Sequence, residues 1–410
     1  MRIAIIGGGA AGLVTAHLLD RHHAVTIYEK EPVLGGHVRT LGLNVRDPEG
    51  LRYPLDAGVI EFDRECFPTV AQLFRRLGVE TEPVPATTTF FRASGRRLLA
   101  PSAIPRAEFS AIRRLLSWGA AARLGRARRH FLSSTELPTE ELYRHSLGEF
   151  LQPTDYSRWL ELLTMYAYST PREQVAEMSA ALVVPMLRRF VEAHSWVRVM
   201  GGTFLYMQTI ANRLSGEIHT STHIRRVRRV VPGIEIELSD GSRHAFDAVV
   251  FATPPGEILG LLADASSSEQ HQLAAWKTRE IETVVHYDEG PYERRGAHFA
   301  TEFDVFERPG GRGGYNALLN HLCGVPESDG RQFGLAFGME DEIDPSRIVH
   351  VQRHRVPVFS RDALLTREVI KLNNGQQNTW LAGAWLYDGL HEGAVTSAVA
   401  VAKELGGASL

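Results

Sequence analysis

The chain has 410 residues, 44% hydrophobic and 23% charged, with a formal net charge of −3. That length suits about two domains, and so small a net charge gives no global attraction to nucleic acid or to a membrane surface. Two cysteines exclude a disulfide framework, no apolar run reaches the roughly 18 residues of a spanning helix, and glycines begin at Gly7 where a signal peptide would be apolar, so a cytoplasmic, enzyme-sized protein is expected.

The first predicted element is a buried parallel strand over residues 2–6, an apolar run with no polar alternation. Gly7, Gly9 and Gly12 then spell G-x-G-x-x-G, and Ala10 and Ala11 lead into the helical pattern of "LVTAHLL". "AVTIYEK" reads as a second strand with Glu29 and Lys30 at its end. Strand, glycines, helix and acid in that order are the context of the dinucleotide fingerprint. Gly7 permits the tight turn, Gly9 lets the backbone approach a pyrophosphate, and Gly12 lets helix and strand pack closely. Glu29 accepts hydrogen bonds from a ribose and disfavours a cofactor with a 2′-phosphate. Ala10, Ala11 and Lys30 are counted with these contacts. At this point NAD and FAD are both open.

Next come "LGGHVRT" and "YPLDAGVIEF". With them, residues 3–62 resemble the N-terminal region of FAD-dependent amine oxidases, phytoene-desaturase-like enzymes and their relatives. The resemblance implies that Gly35 and Gly36 make a second close approach to the cofactor, with Asp56 and Gly58 as a D-x-G segment beside it. These families often carry arginine directly after the glycine pair. Here His37 stands in that place and Arg39 follows two residues on, and both are expected near the diphosphate.

Residues 105–132 are basic, helical and partly amphipathic. They form either a weak contact for a membrane surface or an acidic carrier protein, or a solvated helix covering the substrate cavity. "WVRVMGGTFLYMQTIANRL" resembles the family's glycine-pair segment ahead of a helix. Residues 218–255 alternate apolar and polar residues around a turn at "SDGS", as antiparallel strands do. The resemblance implies that backbone near Ile224 borders an adenine and that Thr253 ends a buried strand near the cofactor. Segments such as "AWKTREIETVVHYDEG" also resemble a poorly characterised bacterial NAD/FAD-binding branch of these flavoproteins, over most of the chain.

The last predicted elements are a strand, a glycine-bearing loop and a small-residue helix in "WLAGAWLYDGLHEGAVTSAVAVAKEL". In the resembled families this segment brings a helix N-terminus to the pyrimidine edge of a flavin. Gly383, Glu392, Gly393, Ala394 and Val395 match it. The amides of that first turn and the helix dipole are expected to stabilise negative charge there by about 1–2 kcal/mol. NAD needs only the first helix end, so FAD is the expected cofactor. No cysteine lies in "AWLYDGLHE", so the FAD is expected to be non-covalent.

The implied fold is α/β, a discontinuous Rossmann-like FAD-binding domain (residues 1–75, 195–260 and 370–410) with an inserted α+β substrate domain (76–194 and 261–369). Many relatives place a lysine near the flavin, but the matching strand, "IETVVHY", has none and Lys277 falls outside it. His391 and His286 are the candidate proton acceptors. Tyr166, Tyr168, Trp196, Trp385 and Tyr387 are candidates for an apolar substrate pocket. No metal is expected. The leading functional expectation is dehydrogenation of a hydrophobic or amine-bearing small molecule, with oxygen or another acceptor reoxidising the flavin. A flavin-dependent double-bond isomerase, a non-catalytic flavin-binding interaction protein and a simple NAD-dependent dehydrogenase are the alternatives.

Overall fold

The computed structural model describes residues 1–47, 50–100, 103–106, 111–151, 154–298 and 300–410. Five short strands drawn from three distant stretches of chain form one parallel sheet. Their order is Glu217–His219, Ala24–Tyr28, Arg2–Ile6, Ala248–Phe251 and Thr379–Leu381. The central strands are apolar along their length because both faces are covered. Ile3, Ile5 and Val250 pack with Leu13, Val14 and Val401 of the first and last helices (Ala10–Leu19 and His391–Glu404). Ala4, Ile6, Val249 and Phe251 face the opposite way, onto Ile234, Ile236 and Phe246 of the antiparallel sheet Ile224–Val230, Gly233–Leu238 and Arg243–Phe246. The alternation predicted for residues 218–255 is this second sheet.

A seven-stranded sheet forms the inserted part. Its order is Ile348–Pro357, Thr278–His286, Gly334–Phe337, Gly313–Leu318, Phe303–Glu307, Thr89–Phe91 and Arg97–Leu99. It is antiparallel except where Phe303–Glu307 runs parallel to Thr89–Phe91. The helix Asp155–Tyr168 packs on two of these strands. It starts at a reciprocal cap, where the Thr154 side chain accepts from the Ser157 amide at 3.1 Å, and it stops at Ser169 in the left-handed region. That stop sets Tyr166 and Tyr168 at its inner end. The whole is the expected α/β architecture with an inserted α+β part.

Of the basic stretch 105–132, residues 107–110 lie outside the described residues. From there Ala111–Ser134 is one helix. Its second half packs inward through Leu124, Ala127 and Phe131. Its first turns leave Ile112 and Leu115 73% exposed and Trp118 46% exposed. Among the described residues no helix is long and apolar enough to cross a membrane.

Candidate cofactor and substrate site

A cavity of about 820 Å³ opens where the carboxyl ends of the parallel strands meet the seven-stranded sheet, the place where open α/β sheets hold ligands. The Gly7 amide donates to the Tyr28 carbonyl at 2.8 Å, which closes the turn between the first two strands. A Cβ on Gly12 would stand 1.9 Å from the Gly7 carbonyl oxygen. Gly12 therefore serves packing and does not line the cavity, whereas Gly7, Gly9, Ala10 and Ala11 do. A Cβ on Gly9 would meet only the Gly36 Cα, at 3.7 Å, so this side of the turn is open. Gly35 and Gly36 have φ of +128° and +57°, and the Gly35 amide donates to the Gly8 carbonyl at 2.9 Å. Glu29 lines the same wall, its carboxylate accepting from the amides of Gly8 at 2.7 Å and Glu31 at 2.9 Å.

Around this cradle stand Lys30, paired with Glu257 at 2.7 Å, and Arg39, whose guanidinium burial shifts downward. His37 contacts the Arg355 carbonyl at 3.1 Å, and its ring centroid is 4.9 Å from that of His354. Burial first, then His37 and Arg39, pushes His354 down to about 2, so its ring is neutral. Gly58 lines the cavity beneath it. Asp56 does not. It is buried, pushed up by burial to about 6, and it clamps Thr40 Oγ1 at 2.5 Å and Thr203 Oγ1 at 2.9 Å. The acid of D-x-G thus ties two loops together and makes no cavity contact.

Ile224, Thr253, Gly383 and Trp385 also line the cavity. Thr253 Oγ1, Trp385 Nε1 and His354 Nε2 are buried with no hydrogen-bond partner among the described residues. Leaving such a group unpaired costs about 1–3 kcal/mol, so three of them on residues lining one cavity fit a polar ligand. With the glycine cradle, they fit a dinucleotide.

The last helix departs from expectation. The Gly393 amide is taken by Asp388 Oδ1 at 2.8 Å, an oxygen that also accepts from the Leu390 amide at 2.9 Å. Glu392 turns away and caps the helix Pro68–Leu77, accepting from the Thr69 amide at 2.9 Å and the Val70 amide at 3.0 Å. Val395 is fully buried in the core. Only His391 and Ala394 of this turn border the cavity. The His391 ring is committed to Tyr206 (Nε2 to Oη, 2.8 Å) and packs against Phe62, and burial pushes it down to about 4. A neutral ring held by a buried tyrosine positions the helix and is a poor proton acceptor.

Of the residues expected to form a substrate pocket, Tyr166, Tyr168, Trp196 and Trp385 line the cavity and Tyr387 does not, nor does His286. Tyr387 packs under the Lys371 ammonium, 4.9 Å from the ring centroid. His286 is buried inside the seven-stranded sheet, with Nε2 3.0 Å from Asn316 Oδ1 and Nδ1 accepting from the Asp288 amide at 3.1 Å. The strand faces the cavity through Ile281 and Thr283 instead, and Lys277 is exposed. Sequence reasoning missed Glu61, Tyr315 and Phe359, which also line the cavity. In "DAGVIEF", Glu61 falls between two apolar residues, the pattern of a solvent-facing position. A strand's polar side and its cavity side look alike in sequence. Neither cysteine lines the cavity; both are buried elsewhere.

The family profile of flavin containing amine oxidoreductases matches residues 10–289, and the chain belongs to that family. An uncharacterized protein of Methanocaldococcus jannaschii is 26% identical over 190 residues, a match spanning 44% of this chain and 42% of that relative. Among solved structures, a putrescine oxidase redesigned at its cofactor site is similar over 98% of both chains, at 14% identity and a TM-score of 0.73. A fatty acid isomerase of P. acnes that produces CLA is similar over 98% of this chain and 97% of its own, at 17% identity and a TM-score of 0.70. At these identities the likeness is one of fold.

Proposed function

We propose that the protein is an FAD-dependent oxidoreductase that holds its cofactor non-covalently and dehydrogenates a hydrophobic or amine-bearing small molecule, with oxygen or another acceptor closing the cycle. The observation that carries this reading is one cavity lined both by an open glycine cradle and by three residues whose buried polar atoms have no partner among the described residues. Residues 1–75, 195–260 and 370–410 form the cofactor domain in this account, and 76–194 and 261–369 the substrate domain. FAD, when bound, supplies the two-electron acceptor. The chain's own part is to bind and orient. Gly7, Gly9, Gly35 and Gly36 allow close backbone approach, Arg39 offers charge to a diphosphate, and Thr253, His354 and Trp385 offer side-chain polar atoms. Tyr166, Tyr168, Trp196, Tyr315 and Phe359 orient an apolar substrate and exclude water. Two buried free cysteines suit a reducing, cytoplasmic compartment.

Anaerobic mixing of the FAD-loaded protein with a panel of alkylamines and unsaturated hydrocarbons tests the reading. Bleaching of the visible absorbance is the expected result. An isomerase is the second reading, favoured by the fatty acid isomerase that shares this fold. Double-bond migration with no net bleaching would replace oxidation with it.

The helix Ala111–Ser134 contains no acidic residue and exposes Ile112, Leu115, Leu116 and Trp118 beside Arg114. This supports a weak contact with an anionic membrane surface. Co-sedimentation with phosphatidylglycerol vesicles, lost in Leu115→Ser/Trp118→Ser, is expected. Binding that is unchanged in that variant would contradict it.

A further inference from the structure

Glu61 begins the short strand Glu61–Asp63, which pairs with Trp196–Val199. Its carboxyl reaches the cavity wall, where the Tyr166 hydroxyl donates to Oε1 at 2.6 Å. The Tyr166 ring stands edge-on to Tyr315 at 4.8 Å and to Phe303 at 5.4 Å, so the acid is set among aromatic rings. The ionisable groups that act on it are Tyr166 from the helix Asp155–Tyr168 and Asp56 from the strand Leu55–Asp56. Tyr315 from Gly313–Leu318 and Cys323 from Leu319–Cys323 feel its charge in turn. Arg198, opposite it in strand register, is engaged with Glu82. Among the described residues no cation pairs with Glu61. Glu61 is half-buried, and a carboxyl drawn out of water is ordinarily paired with a cation or a metal; the described residues supply neither.

We propose that Glu61, oriented by Tyr166, is the specificity-determining group of the cavity and binds the protonated nitrogen of an amine-bearing substrate. The proposal rests on the oxidoreductase reading only for the word substrate; the cation site itself stands on the geometry. Burial raises the Glu61 carboxyl to about 7, with the Tyr166 hydrogen bond opposing the shift and the charge of Asp56 adding to it. Near neutral pH the empty site therefore holds a substantial fraction of protonated acid. An arriving ammonium favours the carboxylate, so Glu61–COOH and R–NH3⁺ become the ion pair Glu61–COO⁻·R–NH3⁺ with one proton released to solvent. Affinity for the cation consequently rises with pH up to about 7 and levels off above it, until the amine itself loses its proton.

The test is calorimetric titration of n-hexylamine, and of the uncharged 1-hexanol, into the FAD-loaded protein in two buffers of different ionisation enthalpy. A hydrogen bond to a charged group corresponds to about 10–100-fold in affinity. Glu61→Gln is expected to weaken hexylamine by that factor, to leave hexanol within about threefold, and to abolish the proton release seen at pH 7. Tyr166→Phe removes a bond that favours the carboxylate. It is expected to weaken hexylamine at pH 7 and to approach the wild type at pH 8.5, a pH dependence that a merely structural role for Tyr166 would not produce. Equal hexylamine affinity in wild type and Glu61→Gln, equal loss of hexanol, or no wild-type binding of hexylamine overturns the proposal. If amines bleach the wild type while Glu61→Gln binds hexylamine unchanged, the proposal fails and the oxidoreductase reading stands. If hexylamine binding depends on Glu61 while no amine bleaches the protein, the cation site stands and that reading fails.

Discussion

A methyl group added at Gly9 would meet only the Gly36 Cα, at 3.7 Å, whereas one added at Gly393 would stand 2.5 Å from Asp388 Oδ1 and 2.9 Å from the Ala384 carbonyl oxygen. Both glycines sit where a helix begins after a strand of the same parallel sheet. At the first helix the empty space faces the cavity. At the last helix it is filled by the protein itself. Asp388 takes the Gly393 amide, Glu392 caps a neighbouring helix, and His391 is locked to Tyr206. A glycine at a helix start signals close approach, and its surroundings decide whether a ligand or the chain does the approaching.

Methyl groups added one at a time probe the space around these glycines. Gly12→Ala has the largest expected effect. Its Cβ would lie 1.9 Å from a backbone oxygen that cannot swing aside, so a loss of about 3 kcal/mol or more is expected, read as insoluble protein or a collapsed thermal transition. Next is the pH dependence of His391→Gln. With a folded pKa of about 4 against about 6.5 unfolded, the unfolded chain binds more protons between those values. The wild type thus loses stability as pH falls from 6.5 to 4, by about 3 kcal/mol at most. The carboxyls that burial raises, such as Glu61 and Asp304, lose stability in the opposite direction, as pH rises toward 7, and they are common to both proteins. The wild-type advantage over His391→Gln should therefore shrink on acidification in denaturant titrations. A constant difference would show that the ring is not held neutral. Gly393→Ala should cost about 1–3 kcal/mol through the clash with Asp388. Gly9→Ala is the mildest for the empty fold, within about 1 kcal/mol.

Much of this was legible in sequence where a local rule has a single structural solution. The strand at residues 2–6, the G-x-G-x-x-G turn and the paired Gly35 and Gly36 all lie where their patterns place them. Gly12 was legible even in its role, since its close packing was read from the fingerprint. The seven-stranded sheet was not. Thr89–Phe91 is three residues long and joins its sheet beside Phe303–Glu307, a pairing that no local periodicity announces. Tyr387 was misread because an aromatic near a flavin-binding segment looks the same whether it faces the cavity or lies beneath Lys371. Glu392 was misread because a first-turn acid at one helix can cap another that is more than 300 residues earlier in the chain. Such roles depend on which elements become neighbours, and that is set by tertiary packing.

The most direct test of the account is the FAD released on denaturation, per folded chain, from the wild type, Gly9→Ala and Gly393→Ala. The account predicts a yellow wild type and a Gly393→Ala protein whose folded fraction keeps its FAD. It predicts a Gly9→Ala protein that folds but holds the cofactor about tenfold or more weakly, because the added methyl enters the space left for the ligand. Full retention of FAD by Gly9→Ala, or a colourless wild type that FAD does not reconstitute, would contradict it.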